Sequence, residues 1–420
     1  MIKVIELFAG VGGFRLGLEA NNPSENENFE IIWSNQFEPS TVSQVASTIY
    51  QEWFGSNSHS SKDISKVLDE VPPHDLLVGG FPCQDYSVAR SASSATGIKG
   101  QKGSLWWSIY DIVFKHSPRF IMLENVDSLL KSPSSERGRD FAIMLASLSE
   151  LDYAVEWRII NAAEYGMPQR RKRVFIMAYK KGTKIYEKIS KLNKPNSSKI
   201  LFDWVREDGV IQDAFPMVFD TKEMSSFKKI EGKLPEISEN SLGFTPTTQP
   251  FANAGVMIDG VVASCRGSAN YDGKYTRLKD ILIAESEVPE EFFIPNEELD
   301  KWTYLKGRKN LIKTSRTGHK YPYAEGHVTF PDALNRASRT IVTGEGGKSP
   351  SRFKHVIKTK SGRLRRLTPY ELEKLNMFPG NLTKIDGVSD GRRAFFMGNA
   401  LVVGVVEKIA NAFLKKLDSF

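Results

Sequence analysis

Cysteine is scarce in this chain, long apolar runs are missing, and so are internal repeats. Each shortage removes a class of protein. Two cysteines, Cys83 and Cys265, in 420 residues make neither a disulfide framework nor a zinc-ligand pattern, so no metal is expected. Free thiols suit an intracellular, cytoplasmic protein. No stretch approaches membrane-spanning length, and no membrane partner is expected. The start, MIKVIELFAG, has one basic residue before a short apolar run and no cleavage-site pattern, unlike a secretory signal. Acidic residues are outnumbered, 50 against 57 basic ones, for a net charge of +7. That balance suits a polyanionic partner. The length exceeds what one typical core holds, so two lobes are expected.

The first 180 residues alternate strand-like and helix-like segments. IKVIELF (2–8) ends at a glycine loop, and FRLGLEA follows with helical spacing. EIIWSN (30–35), DLLVGG (75–80) and RFIMLEN (119–125) read as buried strands. Residues 39–54, 104–116 and 136–151 read as helices between them, with Leu105, Ile109, Ile112, Val113 and His116 on one face of the second. AVEWRIINA and RVFIMAY close the series. The alternation predicts an α/β fold: a doubly wound, mostly parallel, Rossmann-like sheet covered on both faces, with ligands beyond the carboxyl ends of its strands. Near residue 181 the alternation stops. Residues 301–366 hold 17 lysines and arginines against three acidic residues. That stretch is either a solvated face or a surface for backbone phosphates. Further on, Thr368, Pro369 and Glu371 form a capping box with proline at the first helical position. Asn399 is placed to cap a last helix beginning at ALVVGVVEKI.

Cys83 stands where the apolar run DLLVGG gives way to a loop, GGFPCQDYSVAR. Its structural alternative is a small buried side chain at a strand end. Glu124 also ends an apolar strand, where an unpaired carboxylate costs several kcal/mol in order of magnitude; such a carboxyl can donate or share a proton. Arg171 and Arg173 stand two apart at a strand entry, so both can point to one side. A thiol near guanidiniums gains thiolate character. In ELFAGVGGF the dinucleotide glycine spacing fails, because the third position is Arg15. The loop still admits a nucleoside lacking a pyrophosphate, with Phe8 and Phe14 to flank it. Asp63 could accept from an adenine amino group or cap a helix.

The runs ELFAGVGGF, GGFPCQ, ENV, QRRKRVF, RLTPYELEKLNMFP and GNALVV follow the motif order of the DNA cytosine-C5 methyltransferases. On these motifs the chain resembles that family. The resemblance implies a catalytic domain over 1–180 and 367–420, and a target-recognition, DNA-binding domain over 181–366. It implies that Cys83 is the nucleophile toward cytosine C6, with Pro82 shaping its loop. Glu124 would protonate or hydrogen-bond N3, and Asn125 would fix the loop. Arg171 and Arg173 would orient the base, with Gln169 opening their motif; Gln84 and Ser87 would face DNA. Phe8, Gly10, Gly12, Gly13, Phe14, Phe37, Asp63, Ile64, Leu105 and Asn399 would line an S-adenosylmethionine pocket. Many members carry glutamate where this chain has Gln36, so either Gln36 or Glu38 would bind the ribose.

The chemistry implied is thiolate addition at C6 of a flipped-out cytosine, methylation of C5, and release of the thiol. The loop from Gln84 to Lys102 would close over the base. The partners implied are double-stranded DNA, bound by a monomer, and a restriction endonuclease acting on the same site in a bacterial host. The run GGFPCQDYSVAR is similar to members that modify GATC. Two rival readings are a transfer-RNA methyltransferase of the same fold and a DNA-binding protein that has lost the chemistry.

Overall fold

Strand β1 (Ile2–Leu7) is buried over its last four residues and alternates sides, so it must be covered on both faces. In the computed structural model the described residues are 1–19, 28–81, 105–193, 198–219, 225–229, 244–247, 249–314 and 318–419. They divide into two compact units. The first is Met1–Tyr165, Lys172–Gly273 and Val403–Phe420; the second is Gly166–Arg171 and Lys274–Val402. These limits differ from the expected boundaries at 181 and 366. Residues 254–265 form a hairpin that pairs with the first unit's sheet, and 367–402 belong to the second unit.

The first unit is built on one sheet of ten strands. After β1 come β2 (Phe29–Asn35), β3 (His59–Ser60), β4 (Leu76–Gly80), β5 (Phe120–Val126), β6 (Tyr153–Asn161), β7 (Lys172–Lys180), β8 (Ser225–Lys229), β9 (Ala254–Ile258) and β10 (Val261–Cys265). Their order is β3-β2-β1-β4-β5-β7-β6-β9-β10-β8. The first five in that order are parallel, as strand–helix alternation requires. The other pairings are antiparallel. No long helix separates β6 from β7, so those two form an antiparallel pair, and β7 slots beside β5.

Helices cover both faces. On one, Ile5, Leu7, Leu77, Ile121 and Leu123 share a core with Trp106, Ile109, Ile112 and Val113 of α3 (Leu105–His116) and with Phe141 and Leu145 of α4 (Arg139–Glu150). On the other lie α1 (Gly13–Leu18), α2 (Val45–Phe54) and α5 (Val403–Asp418). There Phe413 meets Phe120 edge-on at 4.7 Å, and a Cβ on Gly17 would fall 2.6 Å from Val406. Helix α2 starts later than the expected residue 39, because Gln44 ties the preceding loop, donating to the Glu38 and Thr41 carbonyls. Gly79 lies against β1 so closely that a Cβ would stand 2.8 Å from the Leu7 carbonyl oxygen. Gly79→Ala is therefore expected to cost about 1–3 kcal/mol of stability in a urea melt.

Asn399 does not cap the last helix. It is the final, exposed residue of helix Asp390–Asn399, Ala400 turns extended, and α5 begins only at Val403. By length and composition Asp390–Asp418 would suffice to cross a membrane, which corrects the expectation drawn from the sequence. It is two helices with a break at 400–402, and 67% of its most apolar stretch is buried.

In the second unit, Ile294, Trp302 and Val356 form one apolar cluster, and Val288, Phe292 and Phe293 another. The Thr368–Glu371 capping box is present, and Glu371 also receives Arg365 at 2.7 Å. Part of the basic run 301–366 is thus turned inward, though most of its described lysines and arginines are exposed. Arg365, Arg366, Lys306 and Lys354 are buried, and Arg339 pairs with Asp332 at 2.6 Å. Burial pushes the Lys306 ammonium down to about 8.

Candidate active site

Because β1 to β5 run parallel, their carboxyl ends share one edge of the sheet. Leu7 stands opposite Asn35 and Gly79, and Gly80 opposite Glu124. Strand β7 is antiparallel to β5, so its entry reaches the same edge, with Arg173 opposite Val126. Arg173 and Glu124 are diagonal neighbours on one face. The Arg173 Nε lies 2.9 Å from Glu124 Oε1. The carboxylate that ends this apolar strand is therefore met by a guanidinium. Gly80 makes room for it, since a Cβ there would sit 3.1 Å from Glu124 Oε2. Asn125 is buried and donates from Nδ2 to the Phe81 carbonyl at 3.0 Å. Phe81 packs on Trp106, with ring centroids 6.1 Å apart. Cys83 lies two residues further along; Cys83, Pro82, Gln84 and Ser87 fall outside the described residues.

Beyond β1 the backbone turns through left-handed conformations at Phe8, Gly10 and Gly12, with φ of 55°, 56° and 90°. Gly12 is confined as well as strained for any other residue, because a Cβ would overlap the Phe54 ring at 2.3 Å. Around Gly10 there is open space, and its N–H donates to Gln36 Oε1 at 2.7 Å. Gln36 thus holds the glycine loop, a task a glutamate could share. Phe8, Phe37 and Leu105 are half-buried; Phe14 and Ile64 are buried, with Gly13 opening α1. Asp63 acts as a cap, its Oδ1 accepting from the Ser65 N–H at 3.0 Å and hydroxyl at 2.9 Å.

Three of the proposed residues belong to the second unit. Arg171 lies one residue before β7, so strand parity does not govern it. It is buried, donating to the carbonyls of Ile341 at 3.2 Å and Gly398 at 2.9 Å. Gln169 is fully buried, donating to Asn376 Oδ1 at 2.7 Å and accepting from the Ile341 N–H at 3.0 Å. It braces the unit's interior. Asn399 is the third.

A polar cluster under the glycine loop escaped the sequence reading. Glu6 is completely buried, accepting from the Tyr50 hydroxyl at 2.9 Å, and burial pushes its carboxyl up to about 7. His59 lies between the Ser34 and Ser47 hydroxyls at 2.8 and 2.7 Å, and burial brings its imidazole down to about 4. The signal was available: Glu6, like Glu124, is a lone charge near the end of an apolar strand. Among the described residues no group of three His, Cys, Asp or Glu is placed to hold a metal ion.

The sequence profile of a family described as C-5 cytosine-specific DNA methylase matches residues 2–415. Over the whole chain there is 43% identity to the Type II methyltransferase M.Sau3AI of Staphylococcus aureus, covering 96% of that protein. The Type II methyltransferase M1.ScrFI of Lactococcus lactis subsp. cremoris is 34% identical over 99% of this chain and 79% of its own length. Among solved structures, the S. pombe Dnmt2 methyltransferase superposes with a TM-score of 0.58 at 16% identity over the full length of both chains, a likeness of fold.

Proposed function

The chain belongs to the C-5 cytosine-specific DNA methylases, with their Rossmann-like methyltransferase fold, and from that premise we propose how this DNA cytosine-5 methyltransferase works. Cys83 adds as a thiolate to C6 of a cytosine swung out of the duplex. Glu124 supplies a proton or hydrogen bond at N3 as charge develops there, and Arg173 keeps its carboxylate aimed. Asn125, through the Phe81 carbonyl, anchors the backbone that leads to Cys83. C5 then becomes nucleophilic enough to accept a methyl group, and loss of the C5 proton expels the thiol. The observation carrying this reading is the Glu124–Arg173 pair, at 2.9 Å, beside the end of β4, the strand that precedes Cys83 in the sequence.

S-adenosylmethionine, when bound, supplies the electrophilic methyl group. The bare backbone at Gly10, open to a ligand and fixed by Gln36, fits a nucleoside carrying no pyrophosphate. Phe8, Phe37, Ile64 and Leu105 would offer it apolar contact, and Asp63 has a second carboxylate oxygen for an amino group. Gln36→Ala loosens the loop without touching the reacting atoms. It is expected to raise KM for S-adenosylmethionine about tenfold and leave kcat within about twofold, as steady-state kinetics would read.

The host role proposed is that of a cytoplasmic, monomeric bacterial enzyme. It would guard a site, GATC, against an endonuclease that cuts there. Bisulfite sequencing of a host genome expressing the chain tests this. Protected cytosines confined to GATC are expected. Methylated transfer RNA alongside unmodified duplex would overturn the reading.

A further inference from the structure

The second unit contains an antiparallel ribbon, β11 (Lys309–Thr314) and β12 (Lys320–Glu325), most of whose residues are exposed. Lys309 stands opposite Glu325, and Thr314 opposite Lys320. An isolated two-stranded pair is marginal in water. Here its base is clamped. Lys309 Nζ and Arg352 Nη1 each lie 3.4 Å from Glu325 Oε2, and Arg352 also donates to the Leu305 and Gly307 carbonyls. The far part stands clear. Ile312, a branched apolar side chain, is 77% exposed.

Alternation sorts the ribbon into two faces. One presents Asn310, Ile312 and Thr314 in a row, an amide, an apolar group and a hydroxyl, with Lys320 opposite Thr314. On the other, Lys313 Nζ lies 3.2 Å from the centre of the Tyr323 ring. Arg308, Lys309, Lys313 and Lys320 leave Glu325, already paired, as the single acid between 308 and 325.

We infer that this ribbon enters the major groove of the DNA substrate, its Asn310–Ile312–Thr314 face toward the base edges and Lys320, on that same face, toward a phosphate. The inference rests on the DNA-methylating function above. A two-stranded ribbon fits that groove. A strand rises about 3.4 Å per residue, so alternate side chains stand about two base steps apart. Asparagine suits adenine, an apolar group suits the thymine methyl, and threonine suits either. Pairing with the same ribbon of a second copy is disfavoured by like charge and by Pro322, which removes an N–H from β12.

The test uses the full chain and a short duplex carrying GATC, with fluorescence anisotropy read across a salt series. Lys320→Ala should weaken cognate and mismatched duplexes alike. It should lower the slope of log affinity against log salt by nearly one, while Lys313→Ala, on the far face, should leave it unchanged. Ile312→Ser should narrow discrimination between the two duplexes about tenfold. These positions are exposed, so melting temperatures should hold. Unchanged affinity, slope and discrimination, beside a wild-type chain that methylates normally, would overturn the inference and leave the enzyme intact. So would variants that shift only sedimentation, which would make the ribbon a self-association edge. A wild-type chain that bound no duplex would sink both.

Discussion

Cys83→Ser is expected to slow methyl transfer at least about a thousandfold while leaving duplex affinity within about twofold. Serine keeps the size and the loop but not the chemistry, because an alkoxide is far less accessible than a thiolate near neutral pH. Docking relies on phosphate and base contacts, which one sulfur scarcely supplies. Cys265 provides an internal control. It is buried in β10, and burial pushes its thiol above the ordinary cysteine value, so it stays protonated and shielded. Cys265→Ala should therefore keep full activity. Trapping on duplex carrying 5-fluorocytosine reads both variants at once. The wild type and Cys265→Ala should each yield a covalent adduct, and Cys83→Ser none. Turnover surviving in Cys83→Ser would remove the nucleophile from the proposal. Joint loss of binding and turnover would make position 83 a folding residue.

What could be read from the sequence was period and punctuation. Alternation of apolar runs with helical spacing places β1 to β5 in a parallel sheet and puts Gly80 and Glu124 at its carboxyl edge. The same logic stops where the chain stops alternating. It gives no partner for β6, so the β6–β7 pair and the three strands beyond it were not foreseen. It also carries no information on partnership. Glu124 is visible as a charge at a strand end, but not the guanidinium that meets it. The parity rule applies to Arg173, inside β7, and not to Arg171, one residue outside. The basic run looks like surface in a one-dimensional count. Arg365 and Arg339 are instead counter-ions to Glu371 and Asp332, acids contributed from within six or seven residues along the chain. Gln169 looks like part of a reactive motif, yet its amide is engaged by the backbone and by Asn376. Sequence order cannot distinguish a residue that faces a substrate from one that holds the wall behind it.

The Glu124–Arg173 pair makes the second large prediction separable from a structural effect. Glu124→Gln preserves shape, and the amide oxygen can still accept from Arg173 Nε, now 2.9 Å from the carboxylate. What it removes is the negative charge and the capacity to carry a proton to N3. Thiol addition at C6 pushes charge onto N3, so the loss falls on formation of the covalent adduct and not on later methyl transfer. General acid–base help of this kind is worth about 10²–10⁴ in rate, or roughly 3–5 kcal/mol of barrier. Single-turnover assays should show adduct formation slowed by that factor, with duplex affinity and melting temperature close to wild type. Glu124→Asp offers the opposite cut. It keeps the charge but shortens the reach, so the ion pair weakens, and activity should fall between wild type and Glu124→Gln. An enzyme as fast with glutamine as with glutamate would mean that Glu124 serves only as the counter-ion of Arg173. The proton at N3 would then have to come from solvent.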